Sequence, residues 1–187
     1  MKKPLDFAPE VIFDEAKHTY TLRGKKLSGV TGIIAKRLGI RMPEDFVGEA
    51  RQEGLHIHKA VQNWITDGTF ESIHPGAMWI KDHVERVWQD PLASCHSEVL
   101  ITDFKKFASS VDIIGITEAG TLVLYDIKRT FKRTYVTWQL SIYKYFIEKY
   151  TSYKVEQCYC LAVKDRVLYP VFARAAKDIE ALLYKKD

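Results

Sequence analysis

Residues 107–128 read FASSVDIIGITEAGTLVLYDIK, and this stretch decides the fold. Two apolar runs flank a loop at 118–120, which has the length and the glycine that are typical of a β-hairpin. A hairpin centred on this loop sets Asp112 directly opposite Asp126, with Cβ atoms about 5 Å apart. Lys128 shares their face, because side chains alternate along a strand. The stretch therefore predicts two carboxylates and an ammonium group at one end of a hairpin.

Both faces of the predicted hairpin are apolar, which is typical of a sheet that is covered on both sides. Beside the charged residues, one face carries Ile114, Ile116, Leu122 and Leu124, and the other carries Val111, Ile113, Val123, Tyr125 and Ile127. Buried carboxylates this close repel each other unless one binds a proton or a cation lies between them. A hard divalent ion such as Mg²⁺ suits oxygen ligands. An ion pair between Lys128 and either aspartate is an alternative that needs no metal.

The preceding apolar run, residues 97–102, supplies a third acid. If this run pairs with the first strand of the hairpin around a turn near Lys105, Glu98 lies opposite Asp112. Three acids then form one row across three strands. A second D-x-K sequence, which begins at Asp103, falls in the turn in this register and is not expected to be catalytic.

The rest of the chain predicts helices on both sides of these strands. A hairpin is predicted over 11–13 and 19–22, helices over 28–38, 44–66, 75–89 and 132–150, a closing hairpin over 154–163 and 166–173, and a last helix over 175–184. This order indicates an α/β fold with a central mixed β-sheet flanked by α-helices. We expect a single domain over 1–187, with an N-terminal hairpin and short helix in 1–42, the core in 43–174 and a C-terminal helix in 175–187.

The helix predicted over 44–66 carries a histidine within its apolar face. At 100° per residue His58 lies on that face, whereas His56 points the opposite way to solvent. His58 either ligates a metal through one ring nitrogen or is a hydrogen-bonded core histidine. Gly54, one turn earlier, would allow the helix to approach the sheet or a substrate closely.

The helix predicted over 132–150 carries polar groups within an apolar face. Gln139 and Tyr143 are i, i+4 neighbours there, and a glutamine in such a face needs hydrogen-bond partners. A nucleic-acid backbone or the acidic site could provide those partners. In the alternative, the two residues only attach the helix to the sheet.

Composition excludes several classes of protein. Hydrophobic residues make up 47% and charged residues 28% of the 187, which is ordinary for a globular chain. Three cysteines are too few, and odd in number, for a disulfide framework, and no run approaches the ~18 apolar residues of a membrane span. No secretory leader is recognisable at the start. These features predict a soluble protein in a reducing, cytoplasmic compartment with no membrane partner.

Charge is compatible with a polyanionic partner without requiring one. The net charge is +4, and basic residues are concentrated between Lys128 and Lys154. Ten tyrosines and four tryptophans could stack on bases. The alternative is a solvated helix face with ordinary core aromatics.

Taken together, these residues resemble the motif order of the RecB-type PD-(D/E)XK nucleases. The motifs are G-x-x-x-H (Gly54, His58), an upstream Glu98, Asp112, D-x-K (Asp126, Lys128) and Q-x-x-x-Y (Gln139, Tyr143). The N-terminal stretch HTYTLRGKKLSGVTGIIAKRL is similar to the opening of phage exonucleases and of the mitochondrial genome maintenance exonuclease group. The resemblance covers roughly residues 11–172.

The resemblance implies a restriction-endonuclease-like core and Mg²⁺- or Mn²⁺-dependent phosphodiester hydrolysis. It implies that His58, Asp112 and Asp126 are metal ligands, assisted by the carbonyl of Ile127. It further implies that Lys128 positions the attacking water, that Glu98 is a ligand or a supporting base, and that Gln139 and Tyr143 support the site and the DNA strand. Three basic residues after the D-x-K motif are expected to bind the substrate: Arg129, Lys132 and Arg133.

The sequence also departs from the family pattern. The usual glycine before the second-strand aspartate is missing, and the cysteine set of the iron–sulfur relatives is absent, so we expect no iron–sulfur cluster and no structural zinc. No P-loop occurs, so any unwinding would need a helicase or recombination partner protein. The expected function is a DNA exonuclease of recombination, repair or replication, prokaryotic or phage-encoded, acting on linear single- or double-stranded DNA. A catalytically inactive nucleic-acid-binding module of the same fold and a structure- or sequence-specific endonuclease are the alternatives.

Overall fold

A mixed sheet of eight strands forms the centre of the protein in the computed structural model, which describes residues 5–15, 17–40 and 48–185. The strands are β1 (Val11–Asp14), β2 (Thr19–Leu22), β3 (Lys25–Gly29), β4 (Cys95–Thr102), β5 (Phe107–Ile116), β6 (Leu122–Lys128), β7 (Val155–Ala162) and β8 (Val167–Pro170). The helices are α1 (Val30–Leu38), α2 (Glu49–Asp67), α3 (Pro75–Val87), α4 (Pro91–Ser94), α5 (Arg133–Tyr150) and α6 (Ala176–Tyr184).

The strand order is β1-β2-β3-β5-β6-β7-β8, with β4 also paired to β5. The pairs β3–β5 and β6–β7 are parallel and the others are antiparallel. Helix α5 connects the parallel strands β6 and β7, as a βαβ crossover requires. The predicted class, a mixed central sheet flanked by helices, is confirmed.

The N-terminal region contains a strand that the sequence analysis did not predict. The hairpin of β1 and β2 is present, but the chain continues into β3, and its last residues, Ser28 and Gly29, pair with the start of β5. Ser28 therefore belongs to a strand, and its predicted role as the helix cap is wrong. Gly29 is instead the N-cap of α1, and it has no side chain that could accept a hydrogen bond. The predicted helix end is confirmed, because Gly39 adopts a left-handed conformation at φ 62°.

Helix α2 is described from Glu49, and it ends at a left-handed Gly68, close to the predicted stop. Its predicted start at residue 44, after Pro43, lies outside the described residues. Helix α3 ends two residues before the predicted position, and the short α4 follows it as an unpredicted turn of helix that begins with Pro91.

Both predicted registers of the central strands are confirmed. In the hairpin of β5 and β6, Ile113 pairs with Tyr125 and Ile116 with Leu122, which sets Asp112 opposite Asp126. Between β4 and β5, the pairs Ser97–Ile113 and Val99–Val111 flank Glu98 and Asp112, which therefore also lie opposite each other.

The predicted faces of Asp112 and Val111 are wrong, since Asp112 is directed toward His58 of α2 whereas Asp126, predicted to share its face, contacts Gln139 of α5. Val111 packs with the cluster beneath α5, whereas Ile113, two residues later, packs with the cluster beneath α2 and α3. On β4, Val99 likewise packs with the cluster beneath α5, whereas Cys95 packs with the cluster beneath α2 and α3. Regular alternation would keep each pair on one side of the sheet, so both strands switch faces between these residues.

Two apolar clusters cover the two faces of the central sheet, as the sequence predicts. One contains the buried side chains of α1, α5 and α6, and the other contains those of α2 and α3. Helix α5 is buried on more than its predicted face, because α1 and α6 also pack against it. None of the described helices has the length and apolar character that a membrane crossing requires.

Candidate metal centre

Three side chains from three elements converge where β4 and β5 switch faces. His58 of α2 directs Nδ1 to within 3.6 Å of Glu98 Oε1 and 3.7 Å of Asp112 Oδ1. One ligand atom from each of the three residues lies within 4.8 Å of the others. The structure therefore brings together the predicted histidine and two of the three predicted acids as one group of possible metal ligands.

Glu98 occupies its place through an unusual backbone conformation. Its φ is 50°, in the left-handed region that a glutamate in the middle of a strand rarely adopts. Ser110 of β5 donates a hydrogen bond from Oγ to Glu98 Oε2 at 2.5 Å. The strained backbone and the serine hydroxyl together hold this carboxylate beside His58, a position that regular strand geometry would not provide.

Burial and two acidic neighbours disfavour the ionised form of the Asp112 carboxyl group. Burial, together with the nearby carboxylates of Asp126 and Glu98, raises the pKa of Asp112 to about 7, although His58 and Lys128 act in the opposite direction. Its other oxygen, Oδ2, accepts a hydrogen bond from the backbone N–H of Ile127 at 2.5 Å. A bound cation would relieve the repulsion at this carboxylate.

The carboxylates of Asp112 and Glu98 favour the charged form of the His58 ring. Burial by itself disfavours the charged ring, but Asp112 and Glu98 outweigh that effect and raise the pKa of His58 to about 9. The two acids thus attract positive charge to the point between them and the imidazole. In the metal-free protein a proton on His58 supplies that charge.

Asp126 approaches this group from the α5 side of the sheet. It is fully buried, and its Oδ1 accepts hydrogen bonds from Lys128 Nζ at 2.7 Å and Gln139 Nε2 at 2.9 Å. Its Oδ2 is also buried and has no hydrogen-bond partner among the described residues. A buried carboxylate oxygen without a partner is costly in a folded protein, and a cation would satisfy it.

Lys128 is the predicted ammonium group, and it forms the ion pair with Asp126 that was one of its two predicted roles. Burial acts against its charge, but the carboxylates of Asp126 and Asp112 raise the pKa of Lys128 above its ordinary value. Nζ also lies 3.3 Å from the carbonyl oxygen of Ile127, the atom that the family pattern assigns to the metal. Lys128 is therefore a charged donor at neutral pH, paired with Asp126 in the metal-free protein.

Gln139 and Tyr143 support the site from α5. Gln139 Nε2 donates to Asp126 Oδ1 and to the Tyr143 hydroxyl at 2.7 Å, and that hydroxyl also lies 2.9 Å from Ser109 Oγ. This chain of hydrogen bonds links β5, β6 and α5. Gln139 thus contacts the acidic site directly and Tyr143 contacts it through Gln139, and the same hydrogen bonds attach the helix to the sheet.

The predicted substrate-binding cations occupy different surroundings. Lys132 and Arg133 are exposed at the start of α5. Arg129 pairs instead with Glu53 of α2 at 3.3 Å, and the other oxygen of Glu53 lies 2.9 Å from His74 Nε2. Contact of these three cations with DNA stays a prediction.

Several residues near the site were not predicted to belong to it. No role was predicted for Ser109 or Ser110, yet the Ser109 hydroxyl forms a hydrogen bond with Tyr143 and Ser110 donates one to Glu98. Tyr20 of β2 is buried, and burial and the charge of Glu98 raise its pKa. Consecutive serines in an otherwise apolar strand are the signal that could have identified the first two.

Three further predictions concern residues around the site. Asp103, in the second D-x-K sequence, lies in the β4–β5 turn as expected and accepts backbone hydrogen bonds from Lys105, Lys106 and Phe107. His56 is exposed, as predicted. Gly54 is not needed for approach to the sheet, because a Cβ atom there would meet nothing within 4 Å.

The donor set fits a hard divalent cation. Mg²⁺ is bound by oxygen at about 2.0–2.1 Å in an octahedron, so adjacent ligand atoms lie about 3 Å apart. The separations of 3.6 and 3.7 Å from His58 to the acids exceed this by less than 1 Å. One imidazole with carboxylates also suits Mn²⁺. The three cysteines are buried and free, and none belongs to the group of His58, Glu98 and Asp112.

Comparisons with known proteins add no assignment. No protein-family model matches the chain, and none of the curated proteins matches it.

Proposed function

We propose that this chain is a metal-dependent nuclease of the PD-(D/E)XK type that hydrolyses phosphodiester bonds in DNA. The observation that carries the proposal is the convergence of His58, Glu98 and Asp112 beside the ion pair of the buried Asp126 with Lys128. Structural roles alone account poorly for two acids held this close beside a third, because neighbouring carboxylates repel each other without a cation. The site would take Mg²⁺ or Mn²⁺ as its cofactor.

The residues that would hold the ion are His58, Glu98, Asp112 and Asp126, whose Oδ2 has no hydrogen-bond partner in the described part of the chain. When bound, a divalent ion polarises the phosphate and makes a nucleophile available near neutral pH. His58 must then be neutral, so its proton leaves when the site is loaded.

Lys128 supplies positive charge rather than a base. Since Asp126 and Asp112 favour its protonated form, Nζ donates hydrogen bonds to an attacking water or to a phosphate oxygen. Glu98 is the candidate proton acceptor, because the hydrogen bond from Ser110 favours its ionised form and lowers its pKa also when His58 is neutral. Gln139 keeps Asp126 oriented while the charge at the site changes.

Exonuclease action is the favoured form of this activity. The support is the similarity of residues 18–38 to the opening of phage exonucleases. A sequence-specific endonuclease and an inactive binding module are outcomes that the same experiment distinguishes.

The test uses end-labelled linear DNA and covalently closed circular DNA with Mg²⁺, Mn²⁺ or EDTA. We expect metal-dependent loss of the linear DNA only, and loss of at least a hundredfold in rate for Asp126→Ala and for Lys128→Ala. Lys105→Ala is the matched control, because Lys105 belongs to the second D-x-K sequence and is exposed in a turn.

Each other outcome has a definite meaning. Cutting of circles by the wild type assigns an endonuclease instead. DNA binding without cutting, identical in wild type and both site variants, overturns the catalytic proposal in favour of a binding module.

A further inference from the structure

A basic groove lies outside the acidic site, between the last turn of α1, helix α6 and Trp138 of α5. Its volume is about 590 Å³. Its lining includes the cations Lys36, Arg37, Arg174 and Lys185, and a single acid, Asp178. Among the described residues that line the groove, positive charge therefore exceeds negative charge by three.

Helix ends explain part of this charge but not all of it. Lys36 and Arg37 lie in the last turn of α1, where cations are favourable beside the helix dipole, and Arg37 Nη2 donates to the carbonyl of Lys185 at 2.9 Å. The helix dipole does not explain the position of Arg174. This residue precedes Ala175, the N-cap of α6, and the positive end of a helix dipole disfavours a cation.

Arg174 is instead positioned by α5. Its guanidinium lies over the ring of Trp138, 4.2 Å from the ring centroid, and its backbone N–H donates to Ser141 Oγ at 2.9 Å. A guanidinium stacked on an indole keeps its hydrogen-bond donors pointing outward in a plane. Such a group is suited to bidentate contact with a phosphate.

The groove lies close to the acidic site along the chain and in space. Trp138 immediately precedes Gln139, whose amide contacts Asp126, so the two side chains lie about 100° apart around α5. The groove and the site therefore lie on neighbouring sides of the same helix, whose diameter is roughly 10–12 Å. Phosphates recur about every 3.4 Å of helix axis on each strand of duplex DNA, so one strand that passes a helix of this width presents about three phosphates to it.

We propose that this groove binds the phosphodiester backbone of a DNA strand outside the acidic centre. Lys36, Arg37, Arg174 and Lys185 contact successive phosphates, and the apolar floor of Ala181 and Leu182 lies against the sugars. The contacts are to the backbone, so they are independent of sequence. The proposal goes beyond the nuclease assignment, because backbone binding at this groove requires no cleavage.

The test measures binding of fluorescein-labelled single-stranded and duplex DNA by anisotropy in EDTA, where metal-dependent cleavage cannot occur. We expect the Lys36→Gln/Arg174→Gln double variant to bind DNA about tenfold more weakly and to lower the salt slope by about 2. Lys177→Gln is the matched control, since Lys177 is an exposed cation of α6 that does not line the groove.

A second variant separates charge from folding. Arg174→Lys keeps the charge but loses the planar guanidinium, and we expect it to retain most of the affinity that Arg174→Gln loses. Thermal unfolding of each variant establishes that it is folded.

Unchanged affinity of the folded double variant overturns the proposal, and so does an equal loss in Lys177→Gln, which would indicate general charge attraction. Binding of inorganic phosphate alone, with no loss of DNA affinity in the double variant, overturns it as well. If the wild type binds DNA through the groove but cuts no DNA, the nuclease proposal is contradicted and the proposal that the groove binds DNA is supported.

Discussion

Glu98 and Asp112 face each other across β4 and β5 at the point where both strands switch faces of the sheet. The register is the same on either side of the pair, because both strands change together. The backbone of Glu98 absorbs part of this change at φ 50°. As a result, Asp112 is directed toward His58 on one side of the sheet while Asp126 contacts Gln139 on the other.

The strain at Glu98 predicts a difference between two variants that both lack the carboxylate. We expect Glu98→Gly to be more stable than Glu98→Ala by about 1 kcal/mol, because glycine adopts the left-handed conformation without steric cost. Urea unfolding measures the difference, and both variants should lose metal-dependent activity. Equal or greater stability of the alanine variant would contradict a strained backbone at this position.

Removal of the Gln139 amide is expected to impair the site without unfolding the protein. Gln139→Leu leaves Asp126 Oδ1 with Lys128 as its remaining side-chain partner, and we expect activity or metal affinity to fall about 10–100-fold. Tyr143→Phe should have a smaller effect, since Gln139 still reaches Asp126. Rates on linear DNA and titration with Mn²⁺ check both; a larger loss in Tyr143→Phe would contradict this order.

The stability of the metal-free protein should fall as the pH rises through the alkaline range. The pKa of His58 is raised from 6.5 to about 9, so the stabilisation from its protonated ring is complete below about pH 6.5 and is lost as the pH rises through about 9. Thermal unfolding in EDTA between pH 6 and 10 measures this decline. His58→Gln should flatten the profile in that range, and an unchanged slope would show that other groups cause the decline.

Of the two D-x-K sequences, the one at Asp103 is expected to contribute to stability and the one at Asp126 to activity. Asp103→Ala leaves the backbone N–H groups of Lys105, Lys106 and Phe107 without their acceptor, and we expect a loss of about 2–3 kcal/mol in unfolding free energy. Activity per folded molecule should be unchanged, in contrast to Asp126→Ala. Urea unfolding and DNA cleavage on the same samples test this; a catalytic defect in folded Asp103→Ala would refute it.

Two glycines are expected to respond in opposite ways to alanine. A Cβ at Gly115 would lie 2.1 Å from the ring of Trp88, which also donates a hydrogen bond to Tyr125, so Gly115→Ala should cost about 1–3 kcal/mol. Gly54→Ala should stabilise α2 by about 0.5–1 kcal/mol, because its Cβ meets open space. Chemical unfolding compares the two. In a Trp88→Ala background the Gly115 penalty should largely disappear, and its persistence would place the clash elsewhere.

Much of the central sheet could be predicted from local sequence. The glycine-containing loop before Thr121 and the length of the apolar runs determined the β5–β6 register, and the short turn at 103–106 determined the β4–β5 register. Helix ends at Gly39 and Gly68 were equally local, because a left-handed residue stops a helix wherever it occurs. The strand β3 was missed although it pairs locally with β2 around a two-residue turn at Arg23 and Gly24; only its pairing with β5, between residues almost eighty positions apart, is beyond local pattern.

The candidate site, like the fold, could be predicted from local sequence only in part. The residue types and their spacing alone placed Glu98, Asp112 and Asp126 opposite one another on three strands, since strand register depends on turn length, but they wrongly placed Asp112 and Asp126 on one face. The tertiary structure decided that Glu98 adopts a left-handed backbone, that Ser110 holds it, that Arg129 pairs with Glu53, and that Val111 changes sides. Those features depend on packing between distant segments, which distorts strands and selects partners in ways that local pattern does not encode.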